Sequence, residues 1–158
     1  PVAWTLHSGR WDVTWTAGAH RLRPLPGDPV GAEERLRFAV HGAGLQWLGP
    51  LPIELKGITH RNLETSESGS ELQAWLGTRT RPWWPQLGYI LQRFERTGTP
   101  SALNGDEWWF VANARGPRVL VALPLPGRWV VQASHMRHVQ IGSDLTFTRT
   151  QLTVTKRF

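Results

Sequence analysis

The chain has 158 residues, of which 40% are hydrophobic and 19% are charged. This length and composition indicate one domain, residues 1–158, and exclude a disordered chain. There is no cysteine, which excludes disulfides, thiolate nucleophiles and cysteine metal sites. No apolar run approaches the roughly 20 residues that a helix needs to cross a bilayer, so the sequence predicts no transmembrane segment.

The formal net charge is +6, and all the basic residues except Lys56 and Lys156 are arginines spread along the chain. Such a charge favours anionic partners, either nucleic acid or an anionic surface. The ten tryptophans predict aromatic packing, because each large indole gains most when it is buried with a partner for its N–H. The chain opens at Pro1 without a Met, which leaves open the removal of a leader or anchor. Compartment and oligomeric state stay open.

The first half of the chain reads as short strands and loops. Residues 10–16 alternate apolar and polar side chains, which predicts a half-buried strand. Residues 32–41 suit either a strand or a short helix, and their alternation favours the strand. Two further short strands are predicted around Gly49-Pro50.

Residues 71–98 instead show helical spacing, so the sequence predicts a helical insertion at about residues 70–97. Ser70 and Gln73 fit a capping box at its start. Pro82 would end a first helix and Pro85 would begin a second. Apolar residues recur at intervals of three and four along the segment: Leu72, Trp75, Leu76, Leu87, Ile90, Leu91 and Phe94.

The last third has the strongest strand pattern. The continuous apolar runs at 108–112 and 119–123 predict strands buried on both faces, and strands are also expected at 128–133, 137–141 and 145–158. In the last of these the apolar positions change parity, which predicts a bulge near Thr150-Gln151. The predicted fold is therefore mostly β, a curved antiparallel sheet or barrel of about eight strands with one helical insertion.

No catalytic, nucleotide-binding or metal-binding motif is recognisable, so no catalytic residue, metal or cofactor is predicted and an enzyme is the least favoured class. Two candidate sites remain. The first is an aromatic interior for an apolar ligand, formed by Trp11, Trp15, Trp108, Phe110, Trp129 and Phe147. The second is an Arg/Trp surface that would pair with phosphates and stack on bases, or lie at a membrane interface, formed by Arg79, Arg81, Trp83, Trp84, Arg93 and Arg96.

The segment SGRWDVTW resembles the G-x-W strand that opens lipocalin-like (calycin) barrels, with Gly9, Arg10 and Trp11 as the matching residues. The resemblance implies a barrel that carries a hydrophobic ligand. It also implies that a basic residue of the last strand, Arg149 or Arg157, packs over Trp11.

Three functions follow from these patterns. The first hypothesis is a non-catalytic binding protein that holds a hydrophobic small molecule in a Trp-lined β-barrel. The alternative is a basic nucleic-acid-binding module that uses the Arg/Trp surface. A further alternative is the soluble part of a cell-surface or assembly protein that makes protein contacts.

Overall fold

The structure is a computed structural model, and it describes residues 2–22, 36–77, 84–98 and 113–156. Strands make up most of this part of the chain, with one 3-10 turn at Pro126–Arg128. The strands are β1 (Val2–Ser8), β2 (Trp11–Leu22), β3 (Leu36–Trp47), β4 (Ile53–Asn62), β5 (Ser68–Leu76), β6 (Gln86–Phe94), β7 (Ala114–Leu125), β8 (Trp129–Gln140) and β9 (Thr146–Lys156).

All nine strands belong to one open sheet, and each pairs antiparallel with the next in chain order. Within the described ranges β1 and β9 are therefore the edge strands. Because residues directly opposite each other point to the same side of a sheet and neighbours along a strand point to opposite sides, the pairing register assigns every strand residue to one of two faces.

One face contains every buried strand residue, and we call it the covered face. Its apolar cluster consists of Trp75, Ile90, Leu120 and Ala122, against which Val130 packs. Trp75 lies directly opposite Gly88, where a side chain would meet the indole ring. Phe38 and Asn62, both fully buried, lie opposite each other at one end of the same face.

The other face is exposed and predominantly apolar, and we call it the apolar face. Every exposed large hydrophobic side chain within a described strand lies on it, with Phe147 as the exception. The two faces therefore differ both in exposure and in the chemistry of their side chains. This separation follows from strict alternation along the strands.

The prediction of a mostly β fold is confirmed. The predicted helical insertion at about residues 70–97 is wrong, because its described parts form β5 and β6. Leu87 and Leu91 lie on the apolar face of β6, whereas Ile90 and Phe94 lie on the covered face. Apolar residues on both faces of one strand reproduce the helical spacing of three and four, so the pattern was ambiguous.

Several strand predictions were confirmed and two were wrong. Strand β3 covers 36–41, and β3 and β4 flank Gly49-Pro50 as expected. The run 119–123 is not buried on both faces, because Val119 and Leu123 are exposed. Strand β9 pairs with β8 without interruption, so there is no bulge near Thr150-Gln151. The predicted strand at 108–112 lies outside the described residues.

Candidate functional site

The apolar face is the most unusual feature of the molecule. Leu72 is 57% exposed and lies directly opposite Leu91, which is 45% exposed. Large apolar side chains on this face are exposed from the first strand to the last, since Leu6 in β1 is 69% exposed and Leu152 in β9 is also 69% exposed. With strands about 4.8 Å apart, the face is roughly 40 Å wide. An exposed apolar patch of roughly that width has a larger area than the few hundred Å² that soluble monomers usually show.

Several tryptophans lie at one end of the sheet, which we call the Trp end, whereas Trp4 and Trp15 lie opposite each other farther along the apolar face. Trp11 and Trp47 are directly opposite on the apolar face, and their ring centroids are 6.2 Å apart. Trp129 begins β8 at the same end, where the ammonium of Lys156 lies 5.3 Å from its ring centroid. Trp84 precedes β6 there.

Arginines occupy the opposite end of the apolar face, which we call the Arg end. Arg21 lies directly opposite Arg37, and Arg93 lies directly opposite Arg115. Glu64 contacts Arg37 at 3.3 Å and Glu95 contacts Arg93 at 3.2 Å. Like charges directly opposite each other destabilise a sheet unless anions accompany them.

The apolar region runs obliquely across the strands. In β2 its apolar-face positions extend from residue 11 to 19, centred on Trp15, and in β7 from 117 to 125, centred on Val121. The register from β2 to β7 places Trp15 level with Pro117. The centre of the apolar region in β7, Val121, therefore lies four residues from the level of Trp15. Over the five strand spacings from β2 to β7, this shift inclines the apolar region by roughly 30° to the perpendicular of the strands.

A broad groove of about 990 Å³ crosses β2 to β8, and most of its lining residues lie on the apolar face. Leu72, Leu91 and Pro117 line its apolar part. Arg93 and Arg115 line its border, and so does Arg137. The groove therefore combines hydrocarbon-like walls with guanidinium groups.

A polar network lies on the covered face of β5 and β6. The indole N–H of Trp75 donates to Gln73 Oε1 at 2.9 Å, and Gln73 Nε2 donates to Glu71 Oε1. The other carboxylate oxygen of Glu71 accepts a hydrogen bond from Gln92 Nε2 at 2.5 Å. Trp75 and Gln92 are buried, whereas Glu71 and Gln73 are half-buried, so this network is partly shielded from bulk water.

Other polar groups of the covered face are buried as well. Among the described residues, the buried side-chain atoms there without a hydrogen-bond partner include His60 Nδ1, Gln92 Oε1, His138 Nε2 and Gln151 Oε1. A second groove of about 230 Å³ is lined by polar side chains, including Asp12, Thr14 and Thr16, next to Gly42 and Gly44. The covered face is thus partly apolar core and partly hydrophilic surface.

At the Arg end, the carboxylate of Glu95 links the end of β6 to the start of β5 through hydrogen bonds with Ser68. Its Oε2 accepts hydrogen bonds from the backbone N–H of Ser68 at 2.7 Å and from the Ser68 hydroxyl at 3.3 Å. The bond from the backbone N–H, aided by Arg93, lowers the pKa of the Glu95 carboxyl from its usual value.

The aromatic residues predicted to share an interior do not converge in the described part of the chain. Trp11 and Trp15 lie on the apolar face of β2, and Trp129 lies on that face of β8. Phe147 lies on the covered face of β9. Five strands separate β2 from β8 in the sheet. Trp108 and Phe110 lie outside the described residues.

The predicted Arg/Trp surface does not form one patch among its described members. Trp84 lies at the Trp end, whereas Arg93 and Arg96 lie at the Arg end, roughly 30 Å away along β6. Arg79, Arg81 and Trp83 lie outside the described residues. Sequence reasoning missed Arg115 and Arg137, whose positions beside Arg93 depend on the pairing of β6, β7 and β8.

The residues that carried the lipocalin-like resemblance occupy the start of β2. Trp11 is the first residue of that strand, and it faces Trp47. Arg149 lies on the covered face of β9, the face opposite to Trp11, and Arg157 lies outside the described residues.

No helix in the described part of the chain is long and apolar enough to cross a membrane. Nor does any group of three or more His, Asp or Glu side chains within the described ranges have the arrangement to hold a metal ion. His135 and His138 lie on opposite faces of β8, as their spacing predicts.

No family model matches this chain, and no curated protein and no solved structure is significantly similar to it.

Proposed function

We propose that the nine strands form a membrane-embedded sheet, with the apolar face against lipid acyl chains and the covered face turned toward a polar interior. The observation that carries this proposal is the exposure of large hydrophobic side chains on the same face of every one of these strands, with Leu45 as the exposed one in β3. The lipid supplies the apolar environment that these side chains lack in water.

The length of the strands supports this proposal. A strand that crosses the hydrocarbon of a bilayer needs about 9–11 residues when it is tilted. Most strands here have 9 to 12 residues, and β1 has 7. The hydrophilic part of the covered face is consistent with this location, because membrane-embedded strands alternate apolar residues toward the lipid with polar residues toward the interior.

The two ends of the apolar face support it too. Trp side chains are enriched at the boundary between hydrocarbon and headgroups, and arginines remain near the aqueous phase. Here Trp11, Trp47 and Trp129 mark one end, and Arg93 and Arg115 mark the other. When strands cross a flat lipid layer at a tilt, the apolar side chains that contact the lipid form a band that runs obliquely across the strands. The apolar region here is inclined by roughly 30°, which approaches the usual strand tilt of about 35–45°.

The test uses single cysteines, because the chain has none of its own. Leu72→Cys and Gln73→Cys are adjacent in β5 but lie on opposite faces, and Val13→Cys with Thr14→Cys forms a second matched pair in β2. Each variant is labelled with an environment-sensitive fluorophore and reconstituted in phosphatidylcholine vesicles. We expect a nitroxide on the lipid acyl chain to quench the labels at 72 and 13 strongly, and those at 73 and 14 weakly. Equal quenching within each pair would reject the proposal.

The groove supports a second candidate function, the binding of a hydrophobic small molecule on the apolar face. Its walls at Leu72 and Leu91 and its volume of about 990 Å³ suit a ligand of the size that protein pockets usually hold. A saturable quenching of intrinsic tryptophan fluorescence by a fatty acid, in water and without vesicles, would favour this function. Precipitation of the chain in water, or its assembly into micelles, would favour the membrane-embedded sheet.

A further inference from the structure

We infer that Arg93, Arg115 and Arg137 form a site for the phosphate of an anionic lipid, whose acyl chain occupies the adjoining groove. This inference rests on the proposed membrane location and adds a specific lipid class to it. The three arginines come from β6, β7 and β8, they are all exposed, and all three border the groove.

The positions of the arginines favour an anion between them. Arg93 and Arg115 are directly opposite each other, and Arg115 is opposite Val139, two residues from Arg137 in β8. Directly opposite side chains have Cβ atoms about 5 Å apart, and diagonal neighbours are about 7–8 Å apart. A phosphate can accept hydrogen bonds from several guanidinium groups at this spacing.

The protein itself neutralises only part of this charge. Arg93 has Glu95 as a salt-bridge partner at 3.2 Å. Arg115 and Arg137 have no acidic side chain within salt-bridge distance in the described part of the chain. Two cations at the boundary of an apolar surface are stabilised best by a bound anion.

The surroundings point to a lipid anion. Immediately toward the Trp end, Leu91 lies opposite Leu72, and Pro117 occupies the next strand. A free phosphate uses only the arginines, whereas a phospholipid also buries its acyl chain along these residues.

The experiment compares two double variants that remove the same charge. Arg115→Gln/Arg137→Gln removes two cations of the site, and Arg10→Gln/Arg128→Gln removes two exposed cations from turns at the Trp end. Partition into vesicles is measured by tryptophan fluorescence, in phosphatidylcholine alone and in an equal mixture of phosphatidylcholine and phosphatidylglycerol. The unmodified chain is expected to prefer the mixture.

We expect Arg115→Gln/Arg137→Gln to lose about 10- to 30-fold of this preference, since each cation near an anionic surface contributes about 1 kcal/mol. The control variant should retain most of it. Equal losses in both variants would overturn the inference and indicate a general effect of net charge. Competition by millimolar inorganic phosphate would overturn the lipid assignment in favour of a free-phosphate site.

The outcomes also separate this inference from the proposed function. A chain that inserts equally well into both vesicles, with the label at Leu72→Cys quenched, would overturn the lipid site and leave the membrane location intact. A chain whose label at Leu72→Cys is unquenched in both vesicles would overturn the membrane location itself.

Discussion

Trp75 lies directly opposite Gly88 across β5 and β6, so close that a β-carbon on Gly88 would come within 2.5 Å of the indole ring. The contact lets a large aromatic side chain lie over the sheet on the covered face, where Trp75 is 6% exposed. It also holds the indole N–H in place to donate to Gln73.

Gly88→Ala should therefore destabilise the sheet by about 1–3 kcal/mol, because the ring must move out of a well-packed position. Gly57→Ala is the matched control, since its β-carbon would meet only Leu72 Cδ1 at an ordinary 3.8 Å. We expect the control to be neutral or slightly stabilising. Denaturant unfolding in detergent micelles measures both, and equal free energies of unfolding would contradict the predicted contact.

A charge placed on the apolar face should oppose membrane insertion. Leu87→Lys puts an ammonium opposite Val121, the centre of the apolar region in β7, and should cost about 2–4 kcal/mol in lipid. Leu63→Lys is the control, because Leu63 is 53% exposed in the polar turn after β4. Unfolding titrations in vesicles measure the difference, and a Leu87→Lys variant as stable as the control would place this face outside the hydrocarbon.

The edge strands give a prediction about hydrogen exchange. The outward N–H and C=O groups of β1 and β9 have no strand partner among the described residues, and unpaired backbone groups are costly in lipid. We expect the outward amides of Val2–Ser8 and Thr146–Lys156 to exchange rapidly in water and slowly in vesicles, because insertion requires new pairing partners. Continued rapid exchange in vesicles, measured by mass spectrometry, would show that these strands stay outside the membrane core.

Glu95 should give the stability of the Arg end a pH dependence. Because the backbone N–H of Ser68 and the nearby Arg93 lower its folded-state pKa, the carboxylate contributes stability above its usual pKa, and this contribution is lost as pH falls through the lowered value. Glu95→Gln should remove this dependence. The effect should stay below about 1 kcal/mol, since the side chain is partly exposed and solvent screens it.

The measurement is the free energy of unfolding between about pH 6 and about pH 2 for the unmodified chain and for Glu95→Gln. The two curves should differ most at the upper end of this range and converge at the lower end. Curves that stay parallel would mean that the interaction of Glu95 with Ser68 does not persist in solution.

Several elements were predictable from local pattern. The alternation of Trp11, Val13 and Trp15 predicted the strand that begins at Trp11, and the Gly49-Pro50 turn separated β3 from β4. Alternation depends only on neighbouring residues, because successive side chains of a strand point to opposite faces. Segment 71–98 was misread because β6 has apolar residues on both faces, so a helix and a strand fit the same spacing.

The sequence by itself determined the strand-rich composition, the two chemically different sets of alternating side chains and the excess of arginine and tryptophan. Only the tertiary structure decided which set is covered, because burial depends on how the strands pair and in what register. The same pairing decided that Arg93 faces Arg115 and that the tryptophans are divided between different strands and faces. Local pattern cannot supply those relations, since hydrogen bonding between β6 and β7 determines which residues are opposite.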